Sequence, residues 1–240
     1  MNINKKTANI TGYLYLVIIF GSVFGGMLTG MALESISAGL QVGSFSNWLY
    51  GFGFSIYEIT YMVELAAAIL LYILLKPVNR YLALLAAFFR AAEAIILAFN
   101  MQNQFQAFSM MTGKGALPFA GTQLQEYAAM LLDMHHTGYL ISQLFFGVHC
   151  LLIGYLIYQS RYFPKWIGTF LLAAGGGYLL ESFAYFLVPN YESVAGIFSI
   201  ISAVPAVLAE FTLTFWLIFK GKIVETRFST LKISELGNSV

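Results

Sequence analysis

An all-α membrane protein, a six-transmembrane-helix bundle with cytoplasmic N- and C-termini, is the fold this sequence predicts, and three observations predict it. Of 240 residues, 59% are hydrophobic, 17% aromatic and only 10% charged, with a mean hydropathy of +0.76. So few polar groups cannot cover a soluble domain. Apolar runs long enough for the ~20 residues of a spanning helix recur along the chain, separated by short polar turns. The lysines and arginines are one-sided. A β-barrel does not fit, because the runs are far longer than ~10 residues and do not alternate. The net charge of +1 offers nothing to nucleic acid, so the expected partner is the lipid bilayer.

Residues 1–221 read as a single six-span transmembrane domain and 222–240 as a polar cytoplasmic tail. The short start with Lys5 and Lys6 resembles a signal peptide, with Ser35 and Ser37 as a conceivable cleavage site. The run Gly12 to Leu33 exceeds the ~7–15 residues of a signal core, so it is read as an uncleaved first span. Its glycines, Gly21, Gly25, Gly26 and Gly30, form small-xxx-small pairs that suit close helix approach, including homo-oligomer contacts. Glu34 to Trp48 reads as a Ser/Gly-rich loop, Leu49 to Leu75 as the second span and Arg80 to Met101 as the third. Only Lys76-Pro77-Val78-Asn79 separates these two, so they lie antiparallel and adjacent. Gln102 to Gln125 reads as a longer loop resting on the interface through Phe105, Phe108, Met110 and Met111. The fourth span is Glu126 to Tyr158, the fifth Trp166 to Val188, and the sixth Ile197 to Phe219.

In this arrangement all but two of the twelve lysines and arginines share one side, which the positive-inside rule makes cytoplasmic. Lys114 alone falls on the other, and Arg90 lies within a span. Gly12-Tyr13-Leu14 echoes Gly138-Tyr139-Leu140, and Pro77 with its Leu-Leu-Ala-Ala echoes Pro164 with the same tetrad. One echo demands an inverted repeat and the other a parallel one, which is poor support for a duplication.

A charged residue in hydrocarbon is costly and is retained with a partner or for a task. On the third span Arg90, Glu93, Leu97 and Asn100 fall at i, i+3, i+7 and i+10, one helical face. On the fourth, Asp133, His136, Leu140 and Gln143 repeat that spacing, so the two stripes are expected to face a shared interior. Tyr57, Tyr61 and Glu64 line one face of the second span. Glu181 follows Gly175-Gly176-Gly177 and Glu210 follows Pro205, each about one turn past an expected helix break. Counting 1.5 Å per residue puts Arg90, Glu64, Glu210 and His149 roughly 13 to 17 Å deep. Asn100, Asp133, His136 and Glu181 then fall nearer the outer rim. One arginine cannot neutralise all these carboxylates, so some are protonated or share a proton or a cation. Arg90 with Glu93 or Glu64 reads equally as a structural clamp between helices.

All three histidines lie on one span. His135 and His136 point about 100° apart and His149 is roughly 20 Å away along the helix, so they cannot share a metal. No metal or other cofactor is therefore expected, although one histidine with Asp133, Glu58 and Glu181 leaves a mixed site open. The lone Cys150 in an apolar run allows no intrachain disulfide. No Walker A, dinucleotide or Gly-x-Ser-x-Gly motif is present.

Phe89-Arg90-Ala91-Ala92-Glu93-Ala94, Asp133-Met134-His135, Phe145-Phe146-Gly147-Val148-His149-Cys150, Ala174-Gly175-Gly176-Gly177-Tyr178 through Glu181-Ser182, and Glu210 through Trp216 with Lys220-Gly221 are motifs that belong together. From about Asn9 to Gly221 the chain resembles the bacterial membrane family known as domain of unknown function 4386. The resemblance implies a six-span protein of the bacterial plasma (inner) membrane and brings no activity. The family pattern has aspartate where this chain has Glu181, which preserves the charge. The expected function is a polar chamber lined by Glu64, Arg90, Glu93, Asn100, Asp133, His136, Glu181 and Glu210 that binds or conducts a small solute, ion or proton. An interfacial enzyme using Asp133, His136 and Glu181, and a structural or sensory partner, are the other readings.

Overall fold

A computed structural model describes residues 5–37, 44–113 and 122–237. The described residues form α1 (Lys5–Ser37), α2 (Ser44–Leu75), α3 (Arg80–Met111), α4 (Thr122–Gln159), α5 (Lys165–Leu187) and α6 (Ala195–Gly237), with a 3-10 turn at Tyr191–Ser193 before α6. Six of these helices are long and apolar enough to cross a membrane. Each helix packs on its neighbours in sequence, and α6 returns to α1, so the bundle is a closed ring around one interior. Large apolar side chains such as Phe20, Trp48, Phe88, Phe99 and Leu187 stand exposed around its outside.

The turns explain why the helices reverse where they do. Asn79, extended at φ −156°, ψ 110°, accepts from the backbone N–H groups of Tyr81 and Leu82 at 3.1 Å each, capping α3. The Tyr162 hydroxyl donates to the Leu74 carbonyl at 2.8 Å, fastening the α4–α5 turn to the end of α2. Both features belong to the end of the ring that carries the termini, where the interior is solid. Leu71, Leu74, Leu75, Ile153, Leu156, Ile157, Ile167, Leu213 and Leu217 are essentially inaccessible there and form one cluster.

Several expected boundaries move outward. Residues 102–111 continue α3, and 34–37 and 44–48 belong to α1 and α2. Phe108 and Met110 are buried between helices rather than resting on an interface: Phe108 stacks on Tyr50 with centroids 3.7 Å apart, and Met110 packs with Ala107 and Ala128. Residues 122–125 of the second expected loop begin α4, and residues 38–43 and 114–121 lie outside the described residues. The tail expected after Lys220 continues α6 to Gly237.

The two expected helix breaks are also corrected. The helix α5 runs unbroken through Gly175-Gly176-Gly177, and α6 runs unbroken through Pro205. A Pro in a helix interior removes one N–H and so orphans the carbonyl four residues earlier, here Ile201. Gly177 covers that carbonyl: a Cβ added there would lie 2.8 Å from the Ile201 oxygen. Gly147 and Gly154 on α4 meet Gly175 and Gly168 on α5 in the same way, one seven-residue step on each helix bringing backbone onto backbone. In α1, Gly21, Gly25 and Gly26 receive Thr60 and Tyr57 of α2 in the same chain. Of the five glycines of α1 only Gly30 has open space around it, Gly12 meeting Leu217 and Ile218 of α6.

Adjacent glycines of α5 therefore answer differently to one added methyl group. In Gly175→Ala the Cβ would stand 2.7 Å from the Gly147 carbonyl oxygen, whereas at Gly176 nothing lies within 4 Å. We expect Gly175→Ala to lower stability by about 1–3 kcal/mol. Gly176→Ala should leave it unchanged or raise it by about 0.5–1 kcal/mol. Thermal unfolding of the two purified variants in detergent checks the contrast.

Candidate functional site

Toward the end opposite the termini the ring is hollow. A cavity of about 370 Å³ receives side chains from all six helices. Ile18, Ile19 and Val23 of α1 and Val207 and Phe211 of α6 form a wall that is apolar but for the hydroxyl of Ser22. Facing them are Tyr57, Tyr61 and Glu64 of α2 and Arg90, Glu93, Leu97 and Met101 of α3. His135, Tyr139, Gln143 and Phe146 of α4, Tyr178 of α5 and Glu210 of α6 complete the lining.

Arg90 sits at the inner end of this space. Its Nη2 pairs with Glu64 Oε1 at 3.1 Å and its Nη1 with Glu93 Oε2 at 2.9 Å, and all three side chains are at least 95% buried. The pair with Glu93 spans one turn of α3, whereas the pair with Glu64 crosses to α2. The guanidinium also lies over the Phe146 ring, 4.5 Å from its centroid, so a cation–π contact reaches α4. Phe146, Tyr178 and Glu210 then separate the large cavity from a second one of about 10 Å³, bordered by Tyr15, His149 and Cys150. That second space holds about one water at most. Beyond it lies the solid cluster of leucines and isoleucines.

Charge and hydrogen bonding are unbalanced in the large cavity. Three carboxylates, Glu64, Glu93 and Glu210, face it with one guanidinium. Glu64 Oε2 and Gln143 Oε1 are buried acceptors with no hydrogen-bond partner, and Glu210 makes no ion pair among the described residues. Buried polar atoms are normally satisfied, so two orphaned acceptors in one cavity call for a donor.

The expected site residues divide cleanly. Glu64, Arg90, Glu93 and Glu210 come together around the cavity. Asn100 is buried at the α3–α4 contact, where its Nδ2 donates to the His135 carbonyl at 2.8 Å and lies 3.2 Å from His135 Nδ1. Gly138 makes room for that amide, since any Cβ there would collide with Asn100. Asp133 and His136 do not face the interior: both are exposed, and His136 packs edge-on against Tyr185 with centroids 5.6 Å apart. Glu181 turns to α6 and accepts from Ser199 at 2.7 Å and from Ser202. Asp133, His136 and Glu181 thus do not form a joint centre, and among the described residues no three His, Cys, Asp or Glu side chains converge as a metal site requires. His149 gives its ring to structure, with Nδ1 2.8 Å from the Ala86 carbonyl oxygen.

The residues that the sequence reading overlooked are His135, Tyr139, Phe146 and Tyr178. On α4 the lining follows the i, i+4, i+8 row His135, Tyr139, Gln143, not the i+3, i+7 row chosen from sequence. Both rows pass through the neighbourhood of Gln143 and diverge toward the helix start, so the inclination of α4 decides between them.

The family model of a domain of unknown function, DUF4386, matches residues 10–221. An uncharacterized protein of Archaeoglobus fulgidus is 26% identical over 169 residues, covering 70% of this chain and 83% of that protein. No solved structure matches the chain.

Arg90 holds two carboxylates that would otherwise be buried and uncompensated. Arg90→Met should therefore destabilise the protein by about 3–5 kcal/mol. The triple variant Arg90→Met, Glu64→Gln, Glu93→Gln removes the stranded charges with the arginine and should recover most of that loss. Unfolding midpoints of the three proteins in detergent measure both steps.

Proposed function

For a chain that belongs to the DUF4386 family, we propose a multi-pass plasma-membrane protein whose central chamber binds a small polar solute or ion entering from the non-cytoplasmic side. The observation that carries this reading is the cavity of about 370 Å³ whose lining includes Glu64 and Gln143, each with a buried acceptor that has no hydrogen-bond partner. Its volume lies in the range of small-molecule sites. A polar, hollow interior held open at a buried ion-pair triad is expensive in a membrane bundle, and solute handling is the use that such interiors serve.

Orientation follows from charge. Lys5, Lys6, Lys76, Arg80, Arg161, Lys165 and Lys220 gather at the end with the termini, which the positive-inside rule assigns to the cytoplasm. The chamber then lies in the half of the bundle away from the cytoplasm, with the solid leucine and isoleucine cluster between it and the cytoplasmic end. A conformation of this kind holds a solute without conducting it. Passage across the membrane requires Phe146, Tyr178 and the residues below them to repack, as in alternating access.

A single cysteine reports on both orientation and access. In a Cys150→Ala background, Glu192→Cys should react with a membrane-impermeant thiol reagent in intact cells. Lys76→Cys should react only after the cells are opened. Gln143→Cys should react from the same side as Glu192→Cys, because the chamber is reached from there. Glu64→Gln and Glu210→Gln variants that fold should lose solute binding or liposome flux in a screen of small polar solutes and ions. Folded variants indistinguishable from the parent throughout that screen would falsify the reading.

A further inference from the structure

We propose that the chamber's solute is a small aliphatic ammonium compound, an organic cation carrying N–H donors. This inference rests on the chamber reading above and names its substrate class. Three features on different helices converge on it. The first is charge: Arg90 answers Glu64 and Glu93, while Glu210 lines the same space without an ion pair among the described residues, leaving carboxylates in excess. An anion has no free positive group to meet there, whereas an ammonium group supplies the positive charge that the surplus carboxyl must otherwise replace with a proton.

The second is hydrogen bonding. Glu64, with a side chain 4% exposed, and Gln143, 6% exposed, each present a buried oxygen with no donor. An N–H donor cation satisfies both atoms; another acceptor satisfies neither. The third is the wall. Tyr57 and Tyr61 lie nearly parallel with centroids 5.8 Å apart, and Tyr139, Tyr178 and Phe211 add further rings. Aromatic faces attract ammonium groups, and the alkyl part of such a compound finds apolar surface on Ile18, Ile19 and Val207. A bare metal cation suits this space less well. Among the described residues no three acidic, His or Cys side chains converge on one point, and about 370 Å³ greatly exceeds one ion's coordination shell.

The test is equilibrium binding to the full-length protein in nanodiscs. The probes are 1,4-diaminobutane, its neutral counterpart 1,4-butanediol, tetramethylammonium, and sodium and potassium chloride. The diamine is expected to bind saturably and to raise the unfolding temperature, with at least tenfold preference over the diol. Glu210→Gln, which breaks no ion pair, and Glu64→Gln are each expected to weaken the diamine at least tenfold. Glu192→Gln, on the exposed turn before α6, should not. Diol binding equal to that of the diamine, or diamine binding indifferent to both chamber substitutions, overturns the ammonium assignment and leaves the chamber reading standing. Tetramethylammonium binding as tightly as the diamine overturns the N–H requirement. Saturation by sodium or potassium alone overturns the organic ligand. If no probe saturates, the ammonium assignment falls; if Gln143→Cys is also inert to thiol reagents, the chamber reading falls with it.

Discussion

A guanidinium buried in a bundle with an apolar exterior constrains everything around it. Arg90 is almost wholly buried, so its donors are met by side chains from its own helix and from a neighbour, Glu93 at 2.9 Å and Glu64 at 3.1 Å. Desolvating these three ions costs several kcal/mol each before their attraction offsets it. The arrangement is worthwhile only if the surrounding helices hold it without slack. They do so through small residues: Ala83, Ala86 and Ala94 on α3 are fully buried, which lets α4 approach closely enough for His149 to reach the Ala86 carbonyl. Beside the cavity wall, Asn100 and Gly138 close the same seam.

The ring is thus divided along its axis by chemistry. The half with the termini is filled by branched aliphatic side chains and fixed by the Tyr162 to Leu74 hydrogen bond. The other half has aromatic and ionisable walls around a space that those side chains do not fill. Close glycine contacts between α4 and α5 sit in both halves, and so hold the outer wall in register while the interior changes character. Phe146 stands at the border, with Arg90 against one part of its surroundings and Tyr178 5.0 Å away on the other. Movement of this ring is the smallest change that would join the two cavities.

Much of this was legible in the sequence. Six apolar runs, the Lys76 to Asn79 turn and the excess of ionisable groups on the third span identify the helices and the Arg90 layer, because hydropathy and helical pitch act locally. Glu64 and Glu210 were placed beside Arg90 by depth, which is linear in residue number. What depth cannot supply is rotation. His135 and His136 differ by about 100°, and only the packing of Asn100 into the Gly138 notch selects His135 for the interior. The helix breaks expected at Gly175-Gly176-Gly177 and Pro205 failed for a related reason. Flexibility in sequence became contact in space, with Gly177 covering the carbonyl that Pro205 leaves without its donor. The loop boundaries failed because Phe105 and Phe108 carry the apolar pattern of a helix face that packs on α2, and Met110 that of a face that packs on α4.

The short turn between α2 and α3 bears on how the chain is made. Glu64, Arg90 and Glu93 all lie on one helical hairpin joined by Lys76 to Asn79, so they leave the ribosome close together and can neutralise one another as soon as two helices are paired. Glu210 arrives more than a hundred residues later, on the helix that closes the ring against α1. The early hairpin enters lipid with Arg90 already shared between its two carboxyl groups, and Glu210 joins only when the enclosure is complete. Synthesis in this order keeps the third carboxyl out of the membrane until there is a cavity to receive it.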